Sequence, residues 1–270
     1  MPRYLGQHFL INKSATQKIV GVLNLQKGDT LIEIGPGEGA LTISLAEKCA
    51  EVGCKIIAIE KDARLAEQMS NRQSQIEVIK GDALKLISSI TQKLSGWSLV
   101  GNIPYYITGK LLRILGELEQ KPKLIVLTIQ KEVAERLAAK PPKMNLLAAA
   151  TQIWCKPQIL AYLKPKDFNP PPEVDSAIIK LEIEPKIQEN SELLAYYRFI
   201  KILFKQPRKT VLNNLSTPLD KFRARSLNSK TEILEILKRV GLTGQERPQN
   251  LDLKTLIELS KSYSLLKLGS

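Results

Sequence analysis

The stretch LIEIGPGEGALT, Leu31 to Thr42, decides the fold. An apolar run ends in Gly35, Gly37 and Gly39, and a helical pattern starts directly after them. Glycines so placed allow a tight turn and let a ligand approach the backbone, as at the first strand-to-helix turn of a nucleotide-binding α/β sheet.

The spacing formally satisfies G-x-G-x-x-A, so a dinucleotide is one reading of the loop. Charge opposes it. Glu33 precedes the loop and Glu38 lies inside it, and two carboxylates beside a diphosphate repel it. Pro36 also lacks an N–H with which to bond an anion. S-adenosylmethionine carries a sulfonium and an ammonium and no phosphate, so an acidic loop suits it better.

Outward from the loop, short apolar runs alternate with helical spacing. Strands are predicted at 30–34, 55–60, 75–80, 97–102 and 123–130, with two more around 157–163 and 176–183. Such alternation means βαβ units, a mostly parallel sheet of seven strands with helices on both faces. The proline-rich KPKDFNPPPEVD, 164–175, separates the last two strands and cannot be helical. Beyond about residue 185 the texture changes to amphipathic helices at 192–204, 230–241 and 253–266, with Gly241 as a stop. The expected organisation is a cofactor-binding domain over 1–184 and a small all-helical domain over 185–270.

The next strand ends supply further candidates. Glu60 closes the second strand, where a carboxylate accepts ribose hydroxyls of either cofactor. Asp82, in KGDAL, is placed for an adenine edge, and an Asp at such a turn is also an ordinary helix N-cap. The fourth strand ends in VGNIPYYITG, 100–109. A proline turn with core tyrosines would account for the proline, but beside the glycine loop a chemical reading is stronger. An exocyclic amine on a nucleobase is a poor nucleophile because its lone pair is delocalised. Asn102 and the Ile103 or Pro104 carbonyl could accept its two hydrogens and favour the pyramidal form. Proline fixes that backbone, and Tyr105 would stack on a base taken out of its own stack. Methyl transfer from a sulfonium then needs proximity and alignment rather than a histidine or cysteine base.

The composition agrees. The chain has 270 residues, 43% apolar and 25% charged, as in a globular protein with a sizeable core. No apolar run is long enough to span a bilayer. Cytoplasm is the expected compartment, with an organelle the alternative if a targeting segment has been removed. Cys49, Cys54 and Cys155 with the single His8 give no metal spacing and no even disulfide framework, so neither a metal site nor a disulfide is expected. The net charge of +13 favours a polyanion. From Glu184 onward, 16 basic residues face 9 acidic ones, roughly twice the charge density of the preceding two thirds. Arg198, Lys201, Lys205, Arg208 and Lys209, then Lys221, Arg223 and Arg225, are candidate RNA contacts. Lys201, Lys205, Arg208 and Lys209 follow roughly helical spacing and are expected to form one phosphate-facing stripe. Each lysine alone is more simply a solvated charge.

GQHFL, EIGPGEGALT, IEKD, GDAL, GNIPYYIT, LTIQKEVAERL and FNPPPEVDSAIIKLE, in this order, resemble the adenine N6,N6-dimethyltransferases of small-subunit ribosomal RNA over nearly the whole chain. The resemblance implies a Rossmann-like methyltransferase fold and S-adenosylmethionine contacts at His8, Leu10, Gly35, Glu60, Asp82 and Asn102, with Gly37 in the same loop. It implies that Phe168 forms an aromatic clamp with Tyr105. It also implies a monomer that dimethylates two adjacent adenosines in the 3′-terminal hairpin of that RNA, with a role in subunit biogenesis. The chain departs from the family in having His8 where asparagine is common, and in carrying Arg3 as the one base before Gly6. Weaker readings are a large-subunit adenine methyltransferase of the antibiotic-resistance type, a non-catalytic assembly or transcription factor, and a dehydrogenase.

Overall fold

A computed structural model describes residues 7–72, 76–216 and 230–268. The chain forms two compact units, Met1–Glu135 with Lys156–Ile183, and Arg136–Cys155 with Glu184–Ser270. The segment Arg136–Cys155, which sequence texture leaves with the first domain, thus groups with the second unit. Its bonds explain why: the Trp154 carbonyl accepts from Glu184 N–H, that of Gln249 accepts from Met144 N–H, and Tyr196 donates to the Ala149 carbonyl.

In the first unit the strands are β1 (Phe9–Leu10), β2 (Thr30–Ile34), β3 (Lys55–Glu60), β4 (Ile76–Lys80), β5 (Trp97–Asn102), β6 (Leu124–Gln130), β7 (Cys155–Leu163), β8 (Phe168–Asn169) and β9 (Ser176–Ile183). Seven of them form one sheet in the order β4-β3-β2-β5-β6-β9-β7. The pairings from β4 through β6 are parallel, and β6 pairs antiparallel with β9. β2, β5 and β6 are almost wholly buried, which is why they read as continuous apolar runs rather than alternating ones. From β2 the chain crosses to β3 on one side and later reaches β5 on the other, so β2 and β5 flank the switch point where ligands bind in such sheets.

Helices α1 (Lys13–Val22), α2 (Ala40–Val52), α3 (Ala63–Arg72), α4 (Ala83–Thr91) and α5 (Thr108–Glu117) connect these strands, and α6 (Lys131–Leu137) follows β6. Ile19 of α1 and Leu41 and Leu45 of α2 pack with Leu31, Ile56, Val100 and Val126 of the sheet. β1 and β8, which hydropathy does not reveal, pair antiparallel with Leu10 opposite Phe168. Two-residue strands carry no periodicity, and their pairing spans the whole unit.

The cysteine expectation is corrected. Cys49 and Cys54 form a disulfide, while Cys155 is free and buried. Gly53 caps α2 in the left-handed conformation and turns the chain so that the two Cα atoms lie 4.7 Å apart. An odd cysteine count cannot reveal such a local turn.

The second unit contains α7 (Leu146–Gln152), α8 (Asn190–Leu203), α9 (Val211–Leu215), α10 (Lys230–Arg239) and α11 (Leu253–Leu268). The Phe199 and Tyr263 rings meet at 5.5 Å between α8 and α11. Gly241 has φ +75°, and Leu242 N–H bonds the Leu237 carbonyl, a left-handed stop after α10.

Candidate active site

One cleft opens at the ends of β2, β3 and β5, and it lies wholly within the first unit. Its lining includes His8, Leu10, Gly35, Gly37, Glu60, Asp82, Asn102, Pro104 and Tyr105, so nine sequence-selected residues from five separate segments meet in one place. Glu33, Glu38, Ile103 and Tyr106 border it too.

The glycine loop is shaped by close approach. A Cβ on Gly37, whose φ is +59°, would stand 2.7 Å from the Phe9 ring, so β1 can lie against the loop because residue 37 has no side chain. The Gly37 N–H donates to Glu60 Oε2 at 3.1 Å, and Asp62 N–H donates to Oε1 at 2.8 Å. Glu60 is buried, and a carboxylate has about four lone-pair sites. Two are occupied by backbone, which leaves two for a pair of hydroxyls. Asp82 is the helix N-cap weighed for it, and it borders the cleft as well. Its Oδ1 accepts from Leu84 N–H as the N-cap of α4, and its Oδ2 pairs with Lys61 at 3.2 Å. Burial alone would raise its pKa, but Lys61 and the Leu84 N–H hold the carboxyl below its usual value.

Asn102 ends β5 with its amide held in one sense. Nδ2 donates to the His8 carbonyl at 2.6 Å, so Oδ1 is the end left to accept. His8 is fixed in turn: Nδ1 donates to the Pro170 carbonyl at 2.8 Å, and the ring lies 6.0 Å from that of Tyr105 with planes 24° apart. Asn12 Nδ2 bonds Asp167 Oδ1, and Ile11 N–H bonds the Asp167 carbonyl. Segments 8–12 and 167–170 therefore form a clasp along one side of the cleft. At the hydroxyl end of the aromatic ring, Tyr105 Oη lies 2.6 Å from Ser176 Oγ. Burial raises the Tyr105 pKa, although the Ser176 bond works against it, so the phenol stays protonated.

Phe168 is not among the residues bordering the cleft. It is 3% exposed and belongs to the apolar core with Leu10, Leu41 and Val100. Its bridge to Leu10 anchors the clasp, so in this conformation it supports the wall rather than forming one. The residue that spacing could not find is Ser176. It contacts Tyr105 across 71 positions of sequence, and no local pattern announces that bond.

Glu33 modifies the charge argument. It is fully buried, Oε2 has no hydrogen-bond partner, and Thr42 Oγ1 beside it makes no well-aligned bond. Burial pushes its pKa up to about 8, Thr42 opposes this, and nearby Glu60 adds to it. At neutral pH Glu33 is therefore mostly uncharged, and repulsion of a diphosphate rests on Glu38, Glu60 and Asp82. That set of acceptors, with Lys61 already paired to Asp82, fits a cofactor that is cationic and carries hydroxyls.

In the second unit Arg198, Lys201, Lys205, Arg208 and Lys209 are all exposed. The expected single helical stripe is corrected, because α8 ends at Leu203 and the last three basic residues stand on the loop after it. Pro207 cannot continue a helix. Buried Asn214 takes over the loop's backbone: Nδ2 donates to the Gln206, Lys209 and Thr210 carbonyls, and Oδ1 accepts from Gln206 N–H. Lys221, Arg223 and Arg225 lie outside the described residues. Among the described residues, no cluster of three or more His, Cys, Asp or Glu is placed to hold a metal, and no helix is long and apolar enough to cross a membrane.

The sequence matches the family described as ribosomal RNA adenine dimethylase over residues 2–253. The ribosomal RNA small subunit methyltransferase A of Chlorobium chlorochromatii is 39% identical over 240 residues, which cover 86% of this chain and 88% of that protein. The protein of the same name from Koribacter versatilis is 34% identical, covering 98% of this chain and 94% of its own length. Among solved structures, a dimethyladenosine transferase from Plasmodium falciparum is similar with a TM-score of 0.79 and 26% identity, covering 96% of this chain and 98% of that one.

Proposed function

The chain belongs to the ribosomal RNA adenine dimethylase family, and from that premise we propose that it dimethylates N6 of two adjacent adenosines in the 3′-terminal hairpin loop of small-subunit rRNA. S-adenosylmethionine is the methyl donor, and when bound it supplies an activated methyl group on sulfur. The curated relatives that match nearly the whole chain carry small-subunit names, which favours that subunit over the large one.

The observation that carries the mechanism is the fixed Asn102 amide. With Nδ2 committed to the His8 carbonyl, Oδ1 is available to accept one N6 hydrogen of adenine. The carbonyl of Ile103 or Pro104 would take the other. Together they hold the amine in place and favour its pyramidal form, which exposes the lone pair. Tyr105 stacks on the extruded base, its ring pinned by Ser176 at one end and flanked by His8. Glu60 would accept the cofactor's ribose hydroxyls and Asp82 would face its adenine edge, while His8, Leu10, Gly35 and Gly37 complete the wall. An amine with its hydrogens held by two acceptors needs no separate base before methyl transfer, and its proton can leave to solvent afterwards.

We further propose that the enzyme works as a monomer, in the cytoplasm or wherever small subunits mature. The exposed basic residues of the second unit would grip rRNA phosphates. The deciding experiment is transfer of labelled methyl groups to unmodified small ribosomal subunits, followed by nucleoside mass spectrometry. Dimethyladenosine mapped to the 3′-terminal hairpin is the expected product. Label found in large-subunit RNA alone would overturn the assignment.

A further inference from the structure

The proposed reaction uses the floor of the cleft and leaves its mouth unexplained. Among the described residues, eight large apolar side chains are exposed, and two of them, Ile11 and Tyr106, border this cleft. Tyr106 is 64% exposed, whereas Ile103 on the same segment is buried. Its backbone is nonetheless held firmly. Residues Tyr105–Ile107 form a single 3-10 turn ahead of α5, closed by Ile107 N–H bonding the Pro104 carbonyl. Lys61, more than half exposed and paired with Asp82 at 3.2 Å, borders the same mouth.

An exposed ring on a hydrogen-bonded turn, with a cation on the same rim, is what proteins use to hold single-stranded nucleic acid, the base on the ring and the phosphate near the cation. S-adenosylmethionine has no phosphate for Lys61 to meet. A base that enters the cleft to reach Tyr105 also leaves its neighbours in the strand at the rim. We propose that Tyr106 and Lys61 form a second nucleobase subsite, where the nucleotide next to the target adenosine stacks on Tyr106 and holds the strand in register. The inference rests on the RNA-modifying reading above.

The test compares Tyr106→Ala, Tyr106→Leu and Tyr106→Phe with the wild type. It measures kcat and KM for unmodified small subunits and the Kd for S-adenosylmethionine. Tyr106→Ala should raise KM for subunits at least about fivefold, the lower end of the effect of losing one base–aromatic stack. Tyr106→Phe should restore the wild-type KM, Tyr106→Leu should not, and cofactor Kd should stay unchanged in all three. An unchanged KM in Tyr106→Ala overturns the subsite, as does rescue by leucine equal to that by phenylalanine. A matching loss of cofactor affinity overturns it in favour of a cofactor wall. If the wild type itself methylates no small-subunit RNA, the reading beneath the inference fails rather than the behaviour of Tyr106 alone.

Discussion

The side chain of Asn102 donates from Nδ2 to the main-chain carbonyl of His8, 94 residues earlier, at 2.6 Å. That bond decides which end of the amide remains to accept. It ties the end of β5 to the clasp formed by residues 8–12 and 167–170.

Asn102→Ala should lower kcat by about 100-fold or more, the scale of losing one preorganised polar contact to a transition state. The stability cost should be about 1 kcal/mol, because one partly buried hydrogen bond is lost. Asn102→Asp is the sharper variant. It keeps an oxygen acceptor but cannot donate to His8, so it should be as inactive as the alanine variant. Single-turnover methylation with urea titrations checks both, and an active Asn102→Asp would refute the orienting role of the His8 bond.

Tyr105 and Ser176 should act as a unit. Tyr105→Phe keeps the stacking face and loses the 2.6 Å bond, and Ser176→Ala loses the same bond from the other side. Each should lower kcat/KM by a similar factor of about 3 to 10, the worth of a typical net hydrogen bond. The double variant should be no worse than either single one. Additive losses would mean that the serine does something other than pin the ring.

The sheet was legible because strands buried on both faces leave nearly unbroken apolar runs, and β2, β3, β5 and β9 fall on the predicted residues. The glycine loop, Glu60, Asp82 and Asn102 were legible for a related reason: the fold brings strand ends to one edge, so consecutive strand ends become neighbours. What spacing missed depends on contacts between distant segments. The β1–β8 clasp, the Ser176 bond and the core position of Phe168 all join residues far apart in sequence. The basic residues were found by charge alone, but their arrangement was not. Lysines spaced as on a helix look the same when the helix ends at Leu203 and a buried asparagine arranges the rest.

That loop yields a prediction with two independent readouts. Removing one phosphate contact from single-stranded RNA should reduce the slope of log affinity against log salt by about 0.7. Arg208→Ala combined with Lys209→Ala should therefore flatten the slope for small-subunit rRNA by about 1.4. Asn214→Ala removes no charge. It leaves the Lys209 carbonyl and the Gln206 N–H without the partners that Asn214 gives them, so it should cost about 1–3 kcal/mol of stability. It should also weaken RNA binding while the positive charge is unchanged. Filter binding over a salt series reports the slope, and a slope unaffected by the double variant would remove the loop from the RNA interface.

Glu33 makes stability depend on pH in the direction opposite to a paired carboxylate. Its pKa in the folded protein is about 8, against 4.5 as the ordinary value, because burial disfavours the charged form. Between those limits the folded chain binds a proton that the unfolded chain has released. This group's contribution is therefore fully present below about pH 4.5 and falls as pH rises, levelling off above about 8. The slope is about 1.4 kcal/mol per pH unit within the window. Glu33→Gln mimics the neutral acid and cannot ionise, so the stability of the cofactor-free variant relative to wild type should improve steadily from pH 5 to pH 8. Urea titrations of both proteins across that range decide it. Parallel stability curves would mean that Glu33 is ionised in the folded protein, and the acidic character first inferred for the glycine loop would stand undiminished.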